Sequence, residues 1–249
     1  TEGVYKKVIR TGDPAVGFPP GTIVSGIRSY AFSDAGMAVL GWVGAASALW
    51  FWNNDSLQLV AAAGSADPLN PGCVTTQNLG APKLNDAGDV VFSTWSQPAV
   101  AGAECPINWL AKWNDGSVTK IFGVFDAAPG LENTTFWSGS LALILANTYF
   151  DLNQQGDVSF VANIRFNGSP AEVVYSVWVR RGNGDLELIT MAGESVKGNL
   201  LDIIPDQANI AKPRSGDGAA TAFQLFSSAS QSILGGIPRA VQPYDTIPA

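Results

Sequence analysis

The chain has 249 residues, of which 46% are hydrophobic and only 14% charged, with 27 Gly and 15 Pro. That length can bury a large core, and the composition is too apolar for disorder and too rich in turn formers for a helical bundle. The net charge of −7 arises without any basic run, which argues against nucleic acid as a partner, because no Lys/Arg stripe exists to displace phosphate counterions.

The first expected element is a strand over Val4–Arg10, followed by a loop that joins glycine to an acid, Gly12-Asp13-Pro14. Next, Ser33-Asp34-Ala35-Gly36 opens a tight turn and a strand. An aromatic strand, Ala48–Trp52, leads through the polar turn Asn53–Asp55 to Leu57–Val60 and then to the loop Gly64–Asp67. The same order returns twice. Asn85–Gly88 and Val90–Phe92 precede Trp109–Trp113, the turn Asn114–Gly116, Val118–Ile121 and the loop Gly123–Asp126. Asn153–Gly156 and Val158–Phe160 precede Tyr175–Val179, the turn Gly182–Gly184, Leu186–Ile189 and the loop Gly193-Glu194. A decayed fourth copy surrounds Gly218, with strands at Phe223–Phe226 and Ser230–Leu234.

The glycines Gly36, Gly88, Gly156 and Gly218 are 52, 68 and 62 residues apart, as loop insertions into a common unit would give. In each copy a short polar side chain can bond its own backbone, Gly supplies positive φ, and apolar residues then alternate with period two. Asx-Gly turns between the later runs mark hairpins. The N-terminus reads as the last strand of a unit and the C-terminus as a unit lacking that strand. The reading is therefore an all-β, four-bladed β-propeller of four-stranded antiparallel blades, closed by the N-terminal strand. It spans residues 1–236 as one domain, with an extended tail over 237–249. An open β-solenoid or a β-sandwich is the alternative.

With Asn85–Phe92, Asn153–Phe160 and Gly12-Asp13-Pro14, the chain resembles the secreted bacterial tandem-repeat proteins named for an NxxGxxVF motif. Ser33 replaces Asn in the first copy, and the Gly218 copy is out of register. The resemblance implies an exported, surface-associated protein of unassigned activity and carries no catalytic residues with it.

Export is also expected from composition. Charge is low, the two cysteines, Cys73 and Cys105, suit one disulfide, and the start at Thr1 reads as a processed product. Two unpaired thiols are the alternative. Asn54, Asn133 and Asn167 head glycosylation sequons. No apolar run reaches bilayer-spanning length; the longest surrounds Leu141–Ala146.

The chain has no histidine, so histidine-based triads and metal centres are excluded. No nucleophile elbow or phosphate loop occurs either. Carboxylates remain, and the candidates are Asp13, Asp67, Asp126 and Glu194, one in each loop. They would cap turns, bind a ligand or a structural cation such as calcium, or include a glycosidase pair. Asp34, Asp86, Asp89 and Asp157 read as turn formers. Trp50, Trp52, Trp109, Trp113 and Trp178 recur at equivalent strand positions and read as packing, whereas Trp42, Trp95 and Trp137 lie near strand ends and could stack on sugar rings. The expectation is a non-enzymatic extracellular module with no cofactor. It would bind a protein or glycan surface or self-associate. A secreted carbohydrate-active enzyme using loop carboxylates is the alternative.

Overall fold

The computed structural model describes residues 6–67, 72–75, 79–99, 105, 109–137, 150–166 and 173–191, and the strand backbone alone within 195–237. The chain divides into two compact units, Thr1–Pro106 with Ala111–Lys120, and Ile107–Leu110 with Ile121–Ala249. Every regular element among the described residues is a β-strand, and all pairings are antiparallel.

The first sheet is a meander of β1 (Gly26–Ser33), β2 (Gly36–Val43), β3 (Ala46–Asn53) and β4 (Ser56–Ala62), in that order. A two-stranded ribbon of β5 (Cys73–Thr75) and β8 (Ser96–Pro98) lies outside the main sheets. The second sheet repeats the meander with β6 (Lys83–Leu84), β7 (Val90–Thr94), β9 (Trp109–Asn114) and β10 (Ser117–Gly123). The third has β13 (Val158–Phe166), β14 (Val173–Arg180) and β15 (Leu186–Met191). Two short strands share the free edge of β13: β12 (Phe150–Leu152) pairs with Val158–Phe160, and β11 (Thr134–Phe136) with Ile164–Phe166.

The fourth sheet contains β16 (Ser195–Val196), β17 (Asn199–Asp202), β18 (Ile210–Ala211), β19 (Thr221–Ser227) and β20 (Ser232–Ile237). Here too the strand after the repeated turn, β19, pairs with its hairpin partner β20, while β18 and β17 share the other edge. No third hairpin strand follows β20 among the described residues. The run of strand, aromatic strand and hairpin strand read from the sequence is present in the first three sheets, and β19 and β20 give two hairpin-paired strands in the fourth.

Two expectations need correction. Lys6–Arg10, the described part of the expected first strand, form no strand. Their side chains are engaged locally instead. Lys7 and Arg10 turn back to the carboxylate of Asp13, and Ile9 packs on a cluster of Ala15, Val24, Ala48, Trp50 and Ala62. The alternation expected after each Gly is also replaced by burial of both faces. All five residues of β7 are buried, as are Val158–Ile164 of β13, so these strands are covered on both sides. Gly218, Leu141–Ala146 and residues 238–249 lie outside the described residues.

Trp50, Trp109 and Trp178 are fully buried. Trp50 donates its indole N–H to the Val16 carbonyl (2.9 Å) and Trp178 to Ser176 Oγ (2.7 Å), which removes the cost of burying a polar ring atom. In the second unit Phe122 stacks on Phe160 at 4.3 Å, and Phe136 meets Trp178 edge-on at 5.1 Å. Trp113 is buried and Trp52 half-buried.

Candidate functional site

The repeated turn is closed by its own side chains. Asn85 and Asn153 each accept the backbone N–H four residues on, from Asp89 (2.9 Å) and Asp157 (2.8 Å). Each Asn then donates through Nδ2 to the carboxylate of that same Asp at 3.1 Å. Gly88 and Gly156 sit between them at φ 81° and 80°, the left-handed region that Gly enters without strain. All four polar side chains are buried. The Asp goes on to fix the following strands: Asp89 accepts from Asn114 Nδ2 (2.8 Å), and Asp157 accepts the Gly182 backbone N–H (2.8 Å). In the first copy Ser33 stands in for Asn. Its hydroxyl donates to the Asn85 carbonyl (2.8 Å), and the Asp34 N–H donates to the Asp86 carboxylate (3.0 Å), so two successive turns are tied together.

The hairpin turns follow their sequence signals. Asn54-Asp55 and Asp115-Gly116 are two-residue turns with both central residues at positive φ, as type I′ requires. Gly182–Gly184 make a longer turn closed by the Arg181 N–H donating to the Asp185 carbonyl at 2.7 Å.

The three described loops that end a repeat share one backbone pattern. Gly12 N–H donates to the Val24 carbonyl, Gly64 N–H to that of Thr75, and Phe125 N–H to that of Phe136 (2.8, 2.7 and 2.9 Å). Bonds in the reverse sense reach the carbonyls of Asp13, Ser65 and Asp126 (all 2.9 Å). These bonds make Asp13, Ser65 and Asp126 equivalent and leave Asp67 two residues downstream. Asp13 accepts the backbone N–H of Arg10 and Asp126 that of Gly123, three residues back in both cases (3.0 and 2.7 Å). Burial pushes the Asp13 carboxyl up, but hydrogen bonds from Arg10 and Lys7 outweigh it and hold the group below the ordinary carboxylate value. Asp67 is buried, and its carboxylate accepts the Ser96 hydroxyl. Glu194 lies outside the described residues. Among the described residues, no three acidic or cysteine side chains converge to hold a metal ion.

The same frame exposes a difference that the sequence spacing hides. Gly12 (φ 90°) and Gly64 (φ 81°) hold the left-handed position, whereas the third loop places Phe125 there, at φ 71°. The residue is 54% exposed, and its ring meets Trp137 at 5.8 Å, nearly perpendicular. The Arg165 guanidinium lies 4.3 Å from the Trp137 ring centre. Of the other strand-end tryptophans, Trp42 is half-buried beneath Arg28 at 5.7 Å, and Trp95 is half-buried with its indole N–H unpaired. Residue spacing missed Phe125 and Arg165; aligning the loops on Phe125 rather than Gly123 would have found the first.

Within the first unit, a cleft of about 360 Å³ opens between the two type I′ turns, lined by Asn53, Asn54, Gln58 and Asn114 over Phe51 and Trp113. Cys73 and Cys105 form a disulfide with Cα atoms 5.8 Å apart. Asn54 and Asn133 are exposed, as glycosylation would need; Asn167 lies outside the described residues. Among the described residues, no helix is long and apolar enough to cross a membrane.

No curated protein matches this chain. A solved structure, that of polysaccharide lyase Uly1, aligns with 96% of the chain at 10% identity and a TM-score of 0.33, and the chain spans 63% of that protein's length. Residues 33–202, from the first repeated turn through the third full sheet, match a family profile described as Family of unknown function (DUF7453), and the chain belongs to that family.

Proposed function

We propose that this protein is an exported, non-enzymatic binding module, a four-bladed β-propeller that recognises a glycan or protein surface outside the cell. The observation that carries this reading is the employment of its carboxylates. Asp13 and Asp126 each close their own loop, Asp67 is buried against Ser96, and Asp89 and Asp157 are stapled to Asn85 and Asn153. A carboxylate whose oxygens already hold its own loop or a neighbouring side chain serves the fold, which argues against its use as a catalytic acid or nucleophile.

Four antiparallel sheets of four or five strands, following one another along the described chain, support the propeller. A disulfide supports an oxidising compartment. The reading needs no cofactor. A second reading, assembly with like or unlike subunits, is favoured by β1: it is an edge strand and leaves Tyr30 and Phe32 63% and 71% exposed. Co-sedimentation with insoluble polysaccharides, beside native mass spectrometry and an assay for new reducing ends, tests the proposal. Retention on a glycan without new ends supports it. New ends that disappear with a single Asp→Asn change at Asp13, Asp67 or Asp126 would establish the carbohydrate-active enzyme instead.

A further inference from the structure

The third terminal loop differs from its equivalents in one respect that costs free energy. A bulky residue in the left-handed region is an outlier, and it persists where the surroundings or a function compensate. Gly12 and Gly64 show that the fold is satisfied by glycine at this position. Phe125 receives little burial in return, since the residue stays 54% exposed.

The ring does gain one neighbour, Trp137, which in turn carries Arg165 over its indole, and a strand fixes each of the two. Trp137 follows β11 directly, and its backbone N–H donates to the Asn163 carbonyl at 2.9 Å. Arg165 pairs with Thr135 on one side and Val173 on the other, so β13 holds it in register. The equivalent of Trp137 in the first repeat is Ser25, whose N–H donates to the Trp42 carbonyl in the same way. Phe125 and Trp137 thus depart from the repeat together and meet, with Arg165 over the indole.

Resting on the reading of a binding module, we propose that Phe125, Trp137 and Arg165 form a binding subsite for an anionic saccharide, a uronate unit of an acidic polysaccharide. The open face of Phe125 takes the C–H face of the pyranose, and Trp137 backs it. A guanidinium stacked on an indole uses only its face, so its in-plane N–H donors remain available for a bidentate carboxylate. Arg165 makes no ion pair among the described residues. The surrounding protein carries net negative charge, so a single oriented cation decides which anions stay.

The test is isothermal titration of the full chain with oligogalacturonate, using neutral dextran oligomers and poly-L-glutamate as controls. The proposal predicts saturable oligogalacturonate binding that weakens with salt. Phe125→Gly should reduce affinity at least about tenfold without lowering Tm, because glycine suits the local backbone. Arg165→Gln should bring oligogalacturonate down to the level of dextran. Wild-type affinity retained by both variants would overturn the subsite while leaving the binding module standing. Preference for poly-L-glutamate, or no binding of oligogalacturonate at all, would overturn the ligand class; new reducing ends in the same sample would instead overturn the module reading.

Discussion

The turns at Asn85–Asp89 and Asn153–Asp157 share both backbone and side-chain bonds, whereas the loops at Gly64 and Phe125 share backbone bonds alone. The turns bury their polar groups against one another, so any change of residue leaves a buried partner unpaired. The loops fix most of their path through N–H and C=O groups, which every residue has; a closing carboxylate recurs at Asp13 and Asp126, while the side chain at the left-handed position differs. Shape is therefore specified at the turns and chemistry is varied at the loops, the usual division between scaffold and recognition.

The largest expected effect concerns what holds the Gly64 loop. Its partner Thr75 lies in β5 with Cys73, so the disulfide anchors this loop and not the Phe125 loop. Closing 32 residues is worth ~3–4 kcal/mol by loop entropy. Replacing both cysteines by Ala should lower the urea midpoint accordingly, and an unchanged midpoint would show that backbone bonds alone hold the loop.

The equivalence of the turns comes next. Asn85→Ala and Asn153→Ala should each cost about 2–3 kcal/mol, because each removes several bonds and strands a buried Asp. Ser33→Ala should cost about 1 kcal/mol, since the Ser33 hydroxyl bonds backbone groups, the Asn85 carbonyl and the Ala35 N–H, and strands no carboxylate. Unequal costs at the two Asn positions, measured by chemical unfolding, would break the claim that these turns are one device used twice. A smaller effect of opposite sign belongs to the loops: Phe125→Gly should raise stability by about 1 kcal/mol through relief of the left-handed phenylalanine.

The smallest effect is at Asp13. Its carboxyl is held below the unfolded value, so its contribution is present above the ordinary carboxylate range and is lost as pH falls through the lowered value. Asp13→Asn should flatten the acid side of the stability profile slightly and leave neutral pH almost unchanged. A loss of stability at neutral pH as large as that of Asn85→Ala would contradict the solvent-screened setting of its partners Lys7 and Arg10, whose side chains are exposed.

Much of this was legible in the sequence because it is local. Asn85 and Asp89, or Asn114 and Gly116, are close enough in the chain that residue type alone specifies the turn. The cysteine pair was legible from count and compartment. The first strand of each sheet was not. β1 turns Ile27, Tyr30 and Phe32 outward, and β6 is two residues long, so neither carries a pattern of its own; the neighbouring strand positions them. The subsite was hidden for a related reason. Gly123 looked like the counterpart of Gly64, and only hydrogen bonds to Thr75 and Phe136 reveal that Phe125 occupies that place.

The eight tryptophans allow the central claim to be tested in one titration. Indole N–H resonances of the ¹⁵N-labelled protein, assigned by single Trp→Phe variants, are followed as oligogalacturonate is added. The account predicts that the Trp137 signal shifts in a saturable way while those of the buried Trp50, Trp109 and Trp178 stay in place. A Trp137 signal that does not move while the ligand binds would contradict it.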